Sequence, residues 1–530
     1  MKVEGGKIIQ KSRKLHKKEI YDLVLGVGAT VAVTFLVISL IPVIYVGFFN
    51  YATGDDYWYG VHTYRGFVEG GLIEALKGSL LTVKEFFYGW QGTWFTMFLF
   101  TLSPNHFWEN GYVLTVFISL GLLTVSISLL SHYYLRKKLQ FRSSTVVLIT
   151  SLVLYLMIQY IPRTTSGIYW FNGIMHYSVP FFLAVLAIIY SHKFIDEKGK
   201  KNYTILFFSF FLLGGGSYLA PLAATLTVIL LLLMAVKVEE FDRKKWVMKL
   251  SYDFKNLWIL TAILVEGIGL VISFLAPGNS IRGGEEFGAD PLWAVKSVVY
   301  AIDRGIYLGE DYFKENFVTT AVFLLIGVIL WLELWEKESS KREFRFPLIF
   351  VVYLNGIYWA TYTPEIYARS DVSGGVPNTY FHIFLLVTLA NMVYIHGWIQ
   401  KILKKYFYFT QIREMEEGSS ENGCIGKLKY PVLIAALLLT IYSVYSSELI
   451  TTYDHCIDYI TSGKMEKYLE VRRTQHKILS TSTEEEVIVP EMEGTYPLTN
   501  MCLTENVNAE RNVDRAKYYN KKSVGMVMVD

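Results

Sequence analysis

The chain has 530 residues, 52% of them hydrophobic and 18% charged, with a formal net charge of +3. Apolar runs of about 20 residues, the length that crosses a bilayer, recur along it, which excludes a soluble globular core and indicates an integral membrane protein. The small net charge gives no basis for binding nucleic acid, and the basic stretches read as topology signals.

The tail 1–20 carries Lys2, Lys7, Lys11, Arg13, Lys14, Lys17 and Lys18 ahead of the first apolar run, Tyr21 to Phe49. A signal peptide starts this way, but the run is too long and lacks a small-residue cleavage site, so a retained first helix with a cytoplasmic N-terminus is expected. Eleven spans follow from that start, at about 21–49, 112–135, 144–161, 176–192, 203–213, 217–236, 257–276, 317–335, 347–363, 378–398 and 430–450. In this register the tail and inner loops hold 31 Lys plus Arg, and the outer segments before residue 451 hold 9. That bias matches the positive-inside rule; dropping one span would turn Arg243-Lys244-Lys245 and Lys401 to Lys405 outward. The expected fold is therefore an all-α polytopic membrane protein of about 11 transmembrane helices over 21–450.

The first outer loop, 50–111, has structure of its own. Leu72, Ile73, Leu76, Leu80, Leu81, Val83, Phe86 and Phe87 recur at helical spacing among Glu74, Lys77 and Lys84, as in a helix lying in the membrane interface. Trp90 and Trp94 suit headgroup depth, and Trp94 to Leu102 is too short to cross. The other outer segments, 162–175, 277–316 and 364–377, place ionisable or aromatic residues beside span ends, whereas inner loops such as Glu336 to Arg345 are Lys/Glu mixtures.

After residue 451 the apolar runs stop. Tyr459 to Leu479 reads as a helix, and Val487-Ile488-Val489-Pro490 and Val524 to Val529 as short strands. A small α+β domain, 451–530, is expected on the outer face, packed against the membrane part because alone it could bury little core. Of three cysteines, Cys424 falls inside, and Cys456 and Cys502 fall outside, where a disulfide is chemically allowed though spacing does not pair them.

Gly54-Asp55-Asp56-Tyr57-Trp58-Tyr59 follows the first span directly. Acids at a membrane boundary are costly without a use, and in the last turn of a helix the macrodipole disfavours them. Adjacent residues on a helix point differently, so one carboxylate can face a cavity while the other holds a loop. Either Asp55 or Asp56, with neighbouring aromatic rings limiting water, suits a general base of raised pKa. Arg163, Arg282, Arg304 and Arg369 are four of the outer cations; guanidinium forks suit phosphate oxygens at a lipid surface, with interfacial anchoring the alternative for each. Arg282 lies in Ala276-Pro277-Gly278-Asn279-Ser280-Ile281-Arg282, where Pro and Gly turn the chain as it leaves a span.

Gly167-Ile168-Tyr169-Trp170-Phe171-Asn172-Gly173-Ile174-Met175-His176-Tyr177 offers the aromatic faces and hydrogen-bonding side chains that sugars require, or an interfacial aromatic belt. Trp90-Gln91-Gly92 lines a pocket or makes a plain turn. Glu365, Arg369 and Asp371 alternate in sign and can pair with one another. No metal-ligand spacing, Cys-x-x-Cys, P-loop or Gly-x-Ser-x-Gly occurs in the sequence, so nucleotide chemistry and serine hydrolysis have no support.

With its charged N-terminus, one span, Asp-Asp opening a large outer loop, many further spans and an outer C-terminal domain, the chain resembles the GT-C-type integral membrane glycosyltransferases. Gly54-Asp55-Asp56-Tyr57, Tyr169-Trp170-Phe171-Asn172-Gly173 and Ala276-Pro277-Gly278-Asn279 look like the pattern of a bacterial multi-spanning family grouped with them. The resemblance implies a multi-pass protein of a bacterial plasma (inner) membrane, with its C-terminus outside. It implies a sugar on a polyprenyl phosphate and a glycan or lipid acceptor in the cell envelope. Asp55 or Asp56 would take the acceptor proton in an inverting displacement, and arginines would stabilise the departing lipid phosphate. Tyr57, Trp90, Arg163, Tyr169, Trp170, Asn172, His176, Asn279, Arg282, Arg304 and Arg369 are the expected substrate-binding set. Gly214-Gly215-Gly216-Ser217-Tyr218-Leu219 carries no acid, and relatives using monosaccharide phospholipids commonly need no metal, so no cofactor is expected, a divalent metal being the open alternative. A flippase for lipid-linked oligosaccharide, a glycan polymerase or ligase, and a non-catalytic assembly protein are the rival classes.

Overall fold

The computed structural model describes residues 2–529 except 243–246, 284–290, 336–343, 370–373, 418–424, 494–495 and 499–500; side chains are described outside 2–20, 237–250, 291, 406–417 and 425–430. Cys424, Asp371, Arg243-Lys244-Lys245 and most of Glu336 to Arg345 lie outside the described residues.

The protein is mainly helical. The first helices are α1 (Lys2–Gly47), α2 (Asp55–Gly89), α3 (Trp94–Phe100), α4 (Leu114–Ser131) and α5 (Ser143–Gln159). A turn α6 (Phe171–Gly173) leads to α7 (Val179–Asp196), α8 (Lys200–Leu213) and α9 (Leu219–Met234). After an antiparallel pair β1 (Lys237–Asp242) and β2 (Val247–Ser251), not foreseen from the sequence, come α10 (Trp258–Phe274), α11 (Pro277–Gly283), α12 (Pro291–Lys314) and α13 (Phe317–Trp335). The next four are α14 (Pro347–Ala360), α15 (Thr363–Ala368), α16 (Val376–Glu417) and α17 (Ile425–Ser446).

Each of the eleven apolar segments falls on one of these helices. Among the described residues, six stretches can cross a membrane by length and composition: Tyr21–Gly47, Gly111–Lys138, Phe171–Asp196, Phe254–Phe274, Phe317–Trp335 and Val376–Lys405. Ser143–Gln159, Leu219–Met234 and Pro431–Ser446 are shorter apolar helices.

Packing follows the logic of a lipid solvent. Along α1, Tyr21, Leu25, Ala29, Leu36 and Val43 are buried, with α5 as the neighbouring helix, while Leu23, Val27, Val31, Ile38 and Ile41 point outward. Apolar surface on that scale needs a bilayer to cover it. At the base, Arg142 bonds Asp22 of α1 (2.6 Å) and the buried Glu333 of α13 (2.8 Å), which also accepts from Thr145 (2.8 Å). Three helices thus share one partly buried ion cluster. Around Gly214 and Gly269 the chain leaving α8 meets α10 backbone to backbone, with no room for a Cβ on either, the small-residue contact that membrane helices favour.

The Asp-Asp segment opens α2. Residue Gly71 (φ 74°, ψ −157°) folds α2 back on itself. Gly66 meets the backbone at Glu74, Gly78 meets it at His62, and Thr63 bonds Ser79 (3.0 Å), so 55–70 and 72–89 lie antiparallel. Ala75, Ser79, Thr82 and Phe86 face inward, whereas Leu72, Ile73, Leu76, Leu80 and Leu81 remain uncovered. This is the apolar face expected of a helix resting in the interface.

Residues 451–529 form α18 (Thr452–Thr461), α19 (Lys464–Thr481), β3 (Glu486–Glu491), α20 (Glu510–Tyr518) and β4 (Ser523–Met528). Gly463, at φ 67°, divides the single helix expected over 459–479. The two strands pair in parallel with Val487 opposite Val524. Inside the unit, Arg472 and Glu491 form a fully buried ion pair (2.9 Å), and Glu491 also accepts from the Met492 and Leu503 amides. Gln475 accepts from both Arg472 and Arg515, each at 3.1 Å. Cys456 and Cys502 are not bridged. The Cys456 thiol meets the Tyr169 hydroxyl (3.1 Å), and that of Cys502 bonds the Met492 carbonyl (3.3 Å).

Candidate functional site

The aspartates lie in the first turn of α2, not the last turn of α1, which ends at Gly47. The macrodipole therefore favours both carboxylates, and the cost expected at a helix C-terminus does not arise. Gly54 enters the turn at φ +50° with Met501 against the position of a Cβ, so glycine is required there twice over.

The two acids have different surroundings. Asp56 is fully buried; its Oδ2 accepts from the Thr53 amide (3.0 Å) and the Tyr112 hydroxyl (2.7 Å). Tyr112 in turn accepts from the Phe171 amide (3.1 Å), so Asp56 ties three segments together. Burial pushes its carboxyl up to about 7, against those two hydrogen bonds, as desolvation of a carboxylate does. Asp55 is only half-buried, and among the described residues its carboxylate makes no hydrogen bond or ion pair. Burial raises it too, opposed by Arg511 and Arg282 and assisted by Glu510.

Arg282 is the centre of this charge arrangement. It donates to the Gln91 side chain (2.5 Å), and its guanidinium lies 4.8 Å over the Trp90 ring, a cation–π seat that fixes its direction. Asp55, Tyr59, His176, Tyr177 and Tyr218 are all within its electrostatic reach. The segment carrying it docks closely on the loop after α2. Gly278 has no room for a Cβ beside the Trp90 and Gln91 backbone, nor Gly92 beside the Ser273 carbonyl. Asn279 fastens the joint, accepting from the Gly92 amide (3.2 Å) and donating to the carbonyls of Ser273 (2.6 Å) and Phe274 (3.0 Å).

His176 borders this group, its Nδ1 3.0 Å from the Thr96 hydroxyl and its ring beside Phe100. Asn172 is buried with neither amide atom partnered, and the Trp170 ring nitrogen is likewise without a partner. Other expected ligand residues are committed elsewhere. Tyr57 is buried under the Arg515 guanidinium (3.7 Å) and against Tyr518. Tyr169 donates to the Val43 carbonyl (2.8 Å) and accepts from Asn50 through its own carbonyl (2.6 Å). Both are joints between segments.

The four arginines have different surroundings. Arg163 is exposed, its backbone clasped by Asn378 (2.8 and 2.9 Å). Arg304 is exposed on α12, and Arg369 lies 4.7 Å over the Trp293 ring. Glu365 accepts from Tyr380 (2.5 Å), a partner the sequence reading had not given it. Tyr59, Gln91, Tyr177 and Tyr218 were within quoted motifs but not chosen. Arg511 had no motif to mark it, because its relation to Asp55 is made only by folding.

Two cavities stand out elsewhere. A void of about 20 Å³, room for one water, is lined by Ser119, Ser166, Tyr177, Asn378 and His382 among others. A groove of about 660 Å³ runs along α19 beside Phe49 and Glu109. Neither is lined by Asp55. Among the described residues, no three His, Cys, Asp or Glu side chains gather as a metal-holding group. No protein-family model matches the chain, and no curated protein matches it.

Proposed function

We propose that this chain is a GT-C-like membrane glycosyltransferase with eleven crossings, working on the outer face of a bacterial plasma membrane. The observation that carries the reading is the contrast between the acids: Asp56 is fully buried and held through Oδ2 by Thr53 and Tyr112, its Oδ1 enclosed without a partner, whereas Asp55 is less buried, unpaired and within reach of Arg282. In this reading Asp55 takes the proton of an acceptor hydroxyl as that oxygen attacks the anomeric carbon. The bond from that carbon to the lipid phosphate breaks, the configuration inverts, and Arg282 stabilises the developing phosphate charge. Trp90 orients Arg282. His176, Asn172 and the Trp170 ring nitrogen supply polar contacts for sugar hydroxyls, which would satisfy atoms that otherwise have no partner. The donor is a polyprenyl-phosphate sugar, the acceptor an envelope glycan or lipid, and no metal takes part.

The test is release of lipid phosphate from a panel of polyprenyl-phosphate sugars, with envelope extract as acceptor, by the protein reconstituted in lipid. Wild type and Asp56→Asn should release it, and Asp55→Asn should not. Equal behaviour of all three across a panel containing usable donors would sink the catalytic reading. Lipid transport would then come first, with Glu266, buried in α10 and bonded to Thr225 of α9, as its starting point.

A further inference from the structure

The start of α2 is held by residues from the C-terminal unit as much as by the helix bundle. The Thr53 hydroxyl donates to the Met501 carbonyl (2.8 Å), and Met501 fills the space where Gly54 would carry a Cβ. Three positions after Gly54, Arg515 covers the Tyr57 ring at 3.7 Å, and Tyr518 stacks on Tyr64 at 4.1 Å between centroids. Arg515 is itself fixed by Gln475 in the buried network of the unit. These contacts seat α20 rigidly beside α2, and its first turn brings Glu510 and Arg511 to Asp55. Arg511 is exposed and makes a long hydrogen bond to the Cys502 carbonyl (3.4 Å), so its guanidinium has donors to spare.

We infer that the C-terminal unit is a working half of the site, in which Arg511, at the first turn of α20, is a positioning residue for the Asp55 carboxylate across from Arg282. The inference rests on the transferase reading for its purpose, but not for its test. The charged and titratable groups facing Asp55 are Arg511 and Glu510, with Asp514, from α20; Arg282 from α11; and Asp56 and Tyr59 from its own helix. Arg282 and Arg511 are the cations of that set, and they come from opposite sides of the joint. A base next to a membrane needs such support, because partial burial alone favours its neutral form.

The test is labelling of Asp55 by a carbodiimide and an amine, read by mass spectrometry on the full chain in lipid between pH 4 and 8. Only the protonated carboxyl reacts, so the labelling midpoint follows Asp55 without any substrate. Arg511→Ala should raise the midpoint by roughly half to one pH unit, the low end for a cation beside a carboxylate because Arg511 is exposed. Arg511→Lys should restore most of it, and Lys517→Ala, farther along α20, should leave it alone. Glu510→Gln should move it the opposite way, downward; a loosened fold, by exposing Asp55 to water, would lower the midpoint in both variants, so opposite signs mark a charge effect. An unchanged midpoint in Arg511→Ala, or shifts of the same sign in Arg511→Ala and Glu510→Gln, overturns the inference. If labelling shifts as expected but wild type releases no lipid phosphate, the transferase reading fails while the charge arrangement stands. If wild type does release it, the acid limb of its rate profile should rise in pH with the same variants.

Discussion

Asp56→Asn should separate the two aspartates by stability as well as in the phosphate-release assay. A carboxyl of ordinary pKa 3.8 in the unfolded chain that titrates near 7 when buried is protonated in the fold over a range where the unfolded chain is ionised. Folding takes up a proton there. The wild-type fold therefore loses stability as pH rises from about 4 to about 7, by about 1.4 kcal/mol per pH unit and about 4 kcal/mol in all, and levels off above. Asparagine keeps an oxygen for Thr53 and Tyr112 but does not titrate. The melting midpoint of Asp56→Asn in detergent, minus that of wild type at each pH, should climb between pH 4 and 7 and then stay flat, with other titrating groups cancelling in the difference. A difference that is constant with pH, or that falls, would refute the assignment of Asp56 as a buried structural acid. In the phosphate-release assay the same variant should retain most of its activity.

Arg282→Ala should lower the rate of lipid-phosphate release by about a hundredfold or more, the effect of removing one donor to developing charge, and Arg282→Lys should recover little because it loses the fork held by Gln91. Gly54→Ala forces a Cβ into Met501 at a positive φ; a loss of roughly 1–3 kcal/mol is expected in denaturation, and Met501→Ala in the same chain should return part of it. Arg472→Met leaves Glu491 buried without its cation, which costs about 3–5 kcal/mol, and adding Glu491→Leu should raise the melting midpoint above that of the single variant.

The apolar segments were legible because lipid imposes one rule along the whole chain. Tyr21 to Phe49 and its successors all fall on helices, though among the described residues six stretches are long and apolar enough to cross by length and composition. The face Leu72 to Leu81 was readable from spacing, but the reversal at Gly71 was not, since it depends on Gly66 and Gly78 admitting a second backbone. The strands at 487 and 524 were marked by β-branched residues; Lys237–Asp242, with Glu239, Glu240 and Asp242, gave no such pattern. At the site, the acid pair and the turn holding Arg282 announced themselves by chemistry out of place. Which aspartate is unpaired was hidden, because the other, Asp56, is claimed by Tyr112, 56 residues away, and the turn before both acids is seated by Met501. The contacts of Tyr57 and Tyr169 were hidden for the same reason: an aromatic ring at a boundary looks alike in sequence whether it stacks on a sugar or on Arg515.

The seat of α2 also has a bearing on biosynthesis. Thr53 waits for Met501, a partner 448 residues later, so the acid pair can be inserted beside the membrane long before the segment that fixes it has been made. Until then Gly54 has nothing to lean on, Tyr57 has no cation above it, and Asp55 lacks one of its two arginines. On the proposed transferase reading, competence at this site arrives only when the late segment docks: a nascent chain stalled before residue 501 would hold its helices through α19, lack α20 and be idle at its centre.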